Sequence, residues 1–372
     1  LLHGVLDSPD IPLNVSRSYL QSDRNVKKIS SHITKKVADR LTEIFGKDRE
    51  DFEKKWDDLK VFIQYGMLSD EKFYEKAIKF FLLKNTEGKY YTLEEYENLI
   101  KENQTNKNKS IIHLYTTDPE GQYSFIEEAA SKGYDVLVLD GQLDAHFINH
   151  IESKDQNKKF TRVDSDIVEK LIEKEDGFES KLSGEEEADL TTVFQSQLPE
   201  DSTFFVNFEP MAESANPTVI TQNEFMRRMK DMSKLGGEAG YYGNMPDSYN
   251  LVVNSNHALI SKLKDDVYEK LGNELTDSKK EIDNIKTDIA NLDKLLEGKQ
   301  EEEIPQEEKD KKEELNKKLN DSEDQKRKLL EKYGEENKLV KQLIDLGLLA
   351  NNMLKGESLS KFVKRSIELI EQ

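Results

Sequence analysis

The chain has no cysteine among its 372 residues, which excludes disulfide frameworks, thiolate metal sites and cysteine nucleophiles, and fits a reducing compartment. It holds no run of about 18 apolar residues that could cross a bilayer. No secretory signal pattern is visible. The phosphate loop G-x-x-x-x-G-K-[ST], the zinc motif H-E-x-x-H and the nucleophile elbow G-x-S-x-G are all missing. The six histidines are scattered, so a metal site is not expected. His113 lies inside an apolar run and reads as core, while His146, His150 and His257 fall in helix or turn contexts. Trp56, the only tryptophan, sits in a helical pattern and also reads as core. The chain opens on Leu1-Leu2-His3-Gly4 rather than on methionine, as a piece of a longer protein would.

Charge is what the chain does have. Charged residues make up 35% and apolar residues another 35%, so some part must be helical, charged and poorly buried. A net charge of −20 argues against nucleic acid and anionic membranes as partners, because both repel an acidic surface. The length predicts two or three domains.

Residues 1–85 read as extended chain followed by helices. Pro9 and Pro12 keep the start out of helix, and Val26, Ile29, Ile33, Val37 and Leu41 then recur at helical spacing. Phe52, Trp56, Leu59 and Phe62 mark a second helix, and Phe73, Ala77, Phe80 and Phe81 a third. Residues 86–170 read as a small α/β unit. Ser110 to Tyr115 and Asp135 to Leu139 are its strands, joined through a helix in a right-handed crossover. An acidic helical linker is expected over 164–195. A third domain, 171–372, alternates again, with strands at Thr203 to Phe208 and Tyr249 to Val253 and a helix over 222–235 between them. Inside it, 265–338 is more than half charged. Leu275, Ile282, Ile285, Ile289, Leu292 and Leu296 keep a heptad seam there, and Leu315, Leu319, Leu329 and Tyr333 a weaker one. The pattern predicts an antiparallel coiled-coil hairpin with arms of about 45 Å. The fold class is α/β in its units and α+β overall.

The most informative stretch is Asp7-Ser8-Pro9-Asp10-Ile11-Pro12-Leu13-Asn14-Val15-Ser16-Arg17-Ser18-Tyr19-Leu20-Gln21. It resembles the middle-domain loop of the heat-shock-protein-90 family, D-S-x-D-L-P-L-N-V-S-R-E-x-L-Q. The resemblance continues through Val26-Lys27-Lys28-Ile29, Phe62-Ile63-Gln64-Tyr65-Gly66, Ser131-Lys132-Gly133-Tyr134-Asp135 and Asn254-Ser255-Asn256-His257. It implies a cytoplasmic, homodimeric, ATP-dependent chaperone. The chain would carry the distal middle domain and the C-terminal domain, with no cofactor of its own. ATP and Mg would belong to an N-terminal ATPase domain lying upstream. The resemblance gives Arg17 a catalytic role, contact with the γ-phosphate, with Asn14 and Gln21 in support; a guanidinium fork suits charge developing on a transferred phosphoryl group. Ser18 stands where the family usually has Glu, a carboxylate that could hold the arginine.

Gln222 to Leu235 is amphipathic, with Phe225, Met226, Met229 and Met232 forming an adaptable apolar face. In the family this helix contacts unfolded or partly folded clients. Phe147 falls where bacterial relatives carry an exposed client-holding aromatic, with burial in the core as the equal alternative. Leu343, Leu346, Leu349 and Met353, then Phe362, Val363 and Ile367, line two closing helices. Their faces suit a four-helix bundle between two chains, while packing onto the chain's own sheet would account for some of these residues but not all. The chain ends Ile370-Glu371-Gln372, without the M-E-E-V-D tail of eukaryotic cytosolic members, which points to the bacterial branch. Two rival readings account for less of the chain. A coiled-coil scaffold accounts for 265–338 and not for the opening motif. An α/β enzyme at Asp140-Gly141 lacks a glycine-rich phosphate turn.

Overall fold

The computed structural model describes residues 24–174, 178–198, 203–235, 246–297 and 305–371. Two compact units divide the chain between Val163 and Asp164, and Arg228–Gly243 groups with the first.

The first unit opens with α1(Arg24–Lys47), α2(Arg49–Lys54), α3(Trp56–Ser69) and α4(Glu71–Ala77). The expected second helix is thus two, broken at Lys55, with Asp48 capping α2 through Asp51 N and Asp70 capping α4 through Phe73 N. Aromatic rings knit the segment together: Phe52 lies 5.7 Å from Trp56, and Trp56 lies 4.9 Å from Phe81. Phe62 is exposed rather than core, because the break at Lys55 turns α3 so that Ile63 and Met67 face inward.

A hairpin follows, β1(Leu82–Lys84) with β2(Tyr90–Thr92), turning at Gly88 with φ +80. Thr92 and Glu95 form a capping box on α5(Leu93–Ile100). Glu95 also receives Arg49, whose Nη1 and Nη2 donate at 2.5 and 2.8 Å. This fork ties α2 to α5. Next come β3(Ile111–Thr116), α6(Tyr123–Ser131), β4(Val136–Val138), α7(Asp144–Lys154) and β5(Lys158–Arg162). The sheet order is β4-β3-β5, all parallel. The chain leaves β3 toward one side and returns to the other, so right-handed crossovers put α6 and α7 on opposite faces. The expected strands are present; β1, β2 and β5 were not anticipated, being short and only partly apolar.

The second unit begins with α8(Val168–Leu171) and α9(Gly184–Gln195). The acidic stretch read as a linker therefore contains a core helix. Ser183 and Glu186 box its start, and Leu190, Val193 and Phe194 are fully buried. β6(Thr203–Glu209), β7(Thr218–Thr221) and β8(Ser248–Asn254) follow, with α10(Glu224–Leu235) between β7 and β8 in the chain and grouping from Arg228 onward with the first unit. The sheet order is β6-β8-β7, with β6 parallel and β7 antiparallel to β8. The turn after β8 is a polar knot. Asn254 Oδ1 accepts from Asn256 N at 3.0 Å, and its amide donates to Ala212 O at 2.9 Å. Asn256 Nδ2 donates to Glu179 O at 3.0 Å.

From this knot α11(Ala258–Leu296) runs unbroken into the charged region, so the arm does not begin at residue 265 but continues a core helix. α12(Gln306–Glu336) returns antiparallel, with Lys286 pairing with Glu323 at 2.8 Å and Asp293 with Lys312 at 2.5 Å. Leu275, Ile282, Ile285 and Leu292 are buried along the seam. At the root, Asp189 of α9 accepts from Lys326 at 2.7 Å and from Tyr268 at 3.0 Å. Burial and this carboxylate push the Tyr268 phenol well above its ordinary range. A Cβ on Gly334 would sit 2.5 Å from the Val193 carbonyl oxygen, so only glycine lets α12 meet α9 here. α13(Lys338–Ala350) and α14(Gly356–Ile370) close the chain.

The Arg49 fork makes one prediction about acid stability. Hydrogen bonds from Arg49 hold the Glu95 carboxyl down at about 2, against an ordinary value near 4.5. A depressed carboxylate pKa contributes stability that is present above about pH 4.5 and lost as pH falls toward 2. Glu95→Gln should flatten the stability profile in that window and leave it unchanged in shape above it, as read by urea titrations across pH.

Candidate functional site

Two surfaces gather the residues singled out above. The first is α10. Phe225 is 63% exposed, and Met226, Met229 and Met232 are half-buried, so the apolar face is partly presented and partly seated. The polar side of the helix is built in. Arg227 pairs with Glu224 at 2.6 Å one turn back. Arg228 is buried and donates to Glu152 at 2.6 Å, to Asn149 Oδ1 at 2.9 Å and to the Phe160 carbonyl at 2.7 Å. Asn149 in turn reaches the Met232 sulfur at 2.7 Å. These anchors on α7 and β5 escaped the sequence reading, since partners 68 to 79 residues apart leave no local pattern.

The second surface is the pair α13–α14. Leu343 is fully buried in the chain's own core and Phe362 nearly so, which corrects their placement on a face open to another chain. Met353 is half-buried against the same core. Leu346, Leu349, Val363 and Ile367 are exposed, at 38, 38, 48 and 51%. They recur at three- and four-residue spacing, so each helix keeps an outward apolar stripe beside an inward one. The helices are joined by Arg365, which donates to the buried Asp345 carboxylate and to Gln342 Oε1 at 2.9 Å.

Phe147 is corrected as well. It is 1% exposed and packs 4.4 Å from the Phe81 ring centroid, because α7 turns Phe147, Ile148 and Ile151 onto the core. Asn14, Arg17 and Gln21 lie outside the described residues. Among the described residues no three His, Asp or Glu side chains gather as a metal site, and no helix is long and apolar enough to cross a membrane.

The described residues form a mixed α/β unit and a second unit with a small sheet and a paired-helix arm, and they carry exposed apolar stripes. Comparison with known proteins gives this class a family. The family model described as Hsp90 protein matches residues 1–292. The chain is 51% identical over 372 residues to the chaperone protein htpG of Bacteroides fragilis strain YCH46, covering 100% of this chain and 55% of that protein. It is 50% identical, again over its whole length, to the chaperone protein HtpG of Bacteroides thetaiotaomicron and to that of Porphyromonas gingivalis strain ATCC 33277, covering 55% and 54% of those proteins. The chain belongs to the HSP90 family of chaperones. It spans about half the length of the curated relatives it matches. The family model stops within α11, whereas these relatives match through α12, α13 and α14 as well.

Removing the α10 anchor should be costly. Arg228→Ala removes the donor to Glu152 Oε2, Asn149 Oδ1 and the Phe160 carbonyl, a loss of about 1–3 kcal/mol. Arg228→Lys should recover only part of it, since a point charge cannot reach all three acceptors. Chemical denaturation of the two variants beside the parent chain measures both.

Proposed function

We propose that the chain is the client-handling and dimerising part of an ATP-driven chaperone. The observation that carries the reading is the family match over residues 1–292, which includes the Asp7 to Gln21 loop. In this reading, 1–85 and 86–170 are the helical and α/β parts of a middle domain, and 171–372 is the C-terminal domain with 265–338 as a coiled-coil insertion. The insertion is a solvated spacer or docking arm. Clients meet the face of α10 built from Phe225, Met226, Met229 and Met232, where flexible thioethers adapt to varied apolar shapes. Two copies pair through the stripes Leu346, Leu349, Val363 and Ile367, burying apolar area that one chain leaves in water. The protein works in the cytoplasm.

ATP and Mg belong, in this account, to the part of the whole protein that the chain does not span. Arg17 donates to the γ-phosphate, and Asn14 and Gln21 hold the loop. A guanidinium there stabilises negative charge as it develops and costs no reorganisation at that moment. In the full-length protein, Arg17→Ala is expected to lower kcat for ATP hydrolysis at least about tenfold with little change in KM. Unchanged turnover would remove Arg17 from the mechanism and leave the dimer and client surfaces as they stand.

A further inference from the structure

The strand β6 is the outer strand of the second sheet. It pairs with β8 along its whole length, from Thr203 opposite Ser248 to Glu209 opposite Asn254. Ser255 N donates to the Glu209 carbonyl at 3.0 Å, which fixes the phase of the ladder. Main-chain groups alternate sides along a strand, so Thr203, Phe205, Asn207 and Glu209 turn theirs toward β8. Phe204, Val206 and Phe208 turn theirs away, to the open edge. Among the described residues, no main-chain group outside β8 and Ser255 bonds to this strand.

Open edges are normally blunted by lysine, proline or a bulge. β6 reads Thr-Phe-Phe-Val-Asn-Phe-Glu, with neither lysine nor proline, and its only charge, Glu209, is occupied by Lys170. The register with β8 is unbroken over seven residues, so no bulge turns the edge aside. The strand is also held stiffly from within. Phe204 stacks on Tyr249 at 5.4 Å, Phe208 packs against Phe194, and Val206 is in the core. On the other face Phe205 is 53% exposed beside the edge.

From this geometry we infer that the β6 edge is a docking site for an extended apolar segment of an incompletely folded protein, added as a further strand. A row of donors and acceptors that no described residue pairs, at strand spacing, is matched by another extended main chain, and Phe205 offers apolar contact to alternate side chains. The net charge of −20 favours segments flanked by lysine or arginine. The site deepens the client-binding reading given above and rests on it; it differs from α10 in recognising main chain rather than side-chain shape.

The test is amide hydrogen exchange read at single residues on the whole chain. The probe is a capped peptide of alternating valine and lysine as long as β6. With saturating peptide, exchange at Phe204, Val206 and Phe208 should slow at least about tenfold, and at Thr203, Phe205 and Asn207 it should barely change. A fully N-methylated peptide of the same sequence has no main-chain donors and should bind at least about tenfold more weakly. If the peptide binds but the alternating protection is missing, the edge is not the site and the client reading survives through α10. If no peptide binds, the edge proposal falls, while the client reading through the side-chain face of α10 stands. Protection of Phe204, Val206 and Phe208 in the free chain would mean that another segment or a second copy already covers the edge, and would overturn the proposal.

Discussion

The second unit depends on the return of α12 to the core. Two long helices leave the sheet and come back, and their return is fixed at Gly334, where the helix backbone lies against the Val193 carbonyl of α9. The Gln197 amide then donates to the carbonyls of Gly334 and Glu335 at 2.8 Å each. Three residues later Asn337 caps α13 through Leu339 N and Val340 N, while its amide donates to the Tyr333 hydroxyl at 2.8 Å. The close approach, the cap and the start of α13 thus form one continuous joint. A side chain at Gly334 would push the joint apart, and with it the helices that carry the exposed apolar stripes.

The arm itself has little to hold it. Its seam is narrow, and pairs such as Lys286–Glu323 and Asp293–Lys312 are about half exposed, where each contributes on the order of 0–1 kcal/mol. It is held at its root, where Asp189, Tyr268 and Lys326 are tied together, and through the continuity of α11 with the turn at Asn254 and Asn256. A polar clasp of this kind suits a joint, because each buried group is hydrogen-bonded and only one arrangement satisfies all of them.

Much of this was legible in the sequence. Periodic apolar positions marked the long helices α11 and α12, apolar runs marked the strands β3, β4 and β8, and the Asp7 to Gln21 motif carried the family. What failed had physical causes. The acidic start of α9 disguised a core helix, because its glutamates serve the cap while Leu190, Val193 and Phe194 face in. Short strands such as β7 carry too few residues for a period to show. Helical stripes were seen without their direction. Spacing cannot say whether Leu343 or Leu346 faces the chain's own sheet, and the structure gives the first to the core and the second to water. The same blindness left Phe147 open between surface and core, and the structure buries it. Partners far apart in sequence, such as Arg228 with Glu152, were beyond any local pattern.

The proposed pairing of this chain with a second copy runs through the outward stripes of α13 and α14. Light scattering on the parent chain and on a Leu346→Asp, Val363→Asp variant tests it most directly. Both positions are exposed, so the variant keeps its core. The account predicts a parent mass twice the 43.0 kDa of one chain and a folded variant at 43.0 kDa. A parent that is a monomer at micromolar concentration, or a variant that stays a dimer, would contradict it.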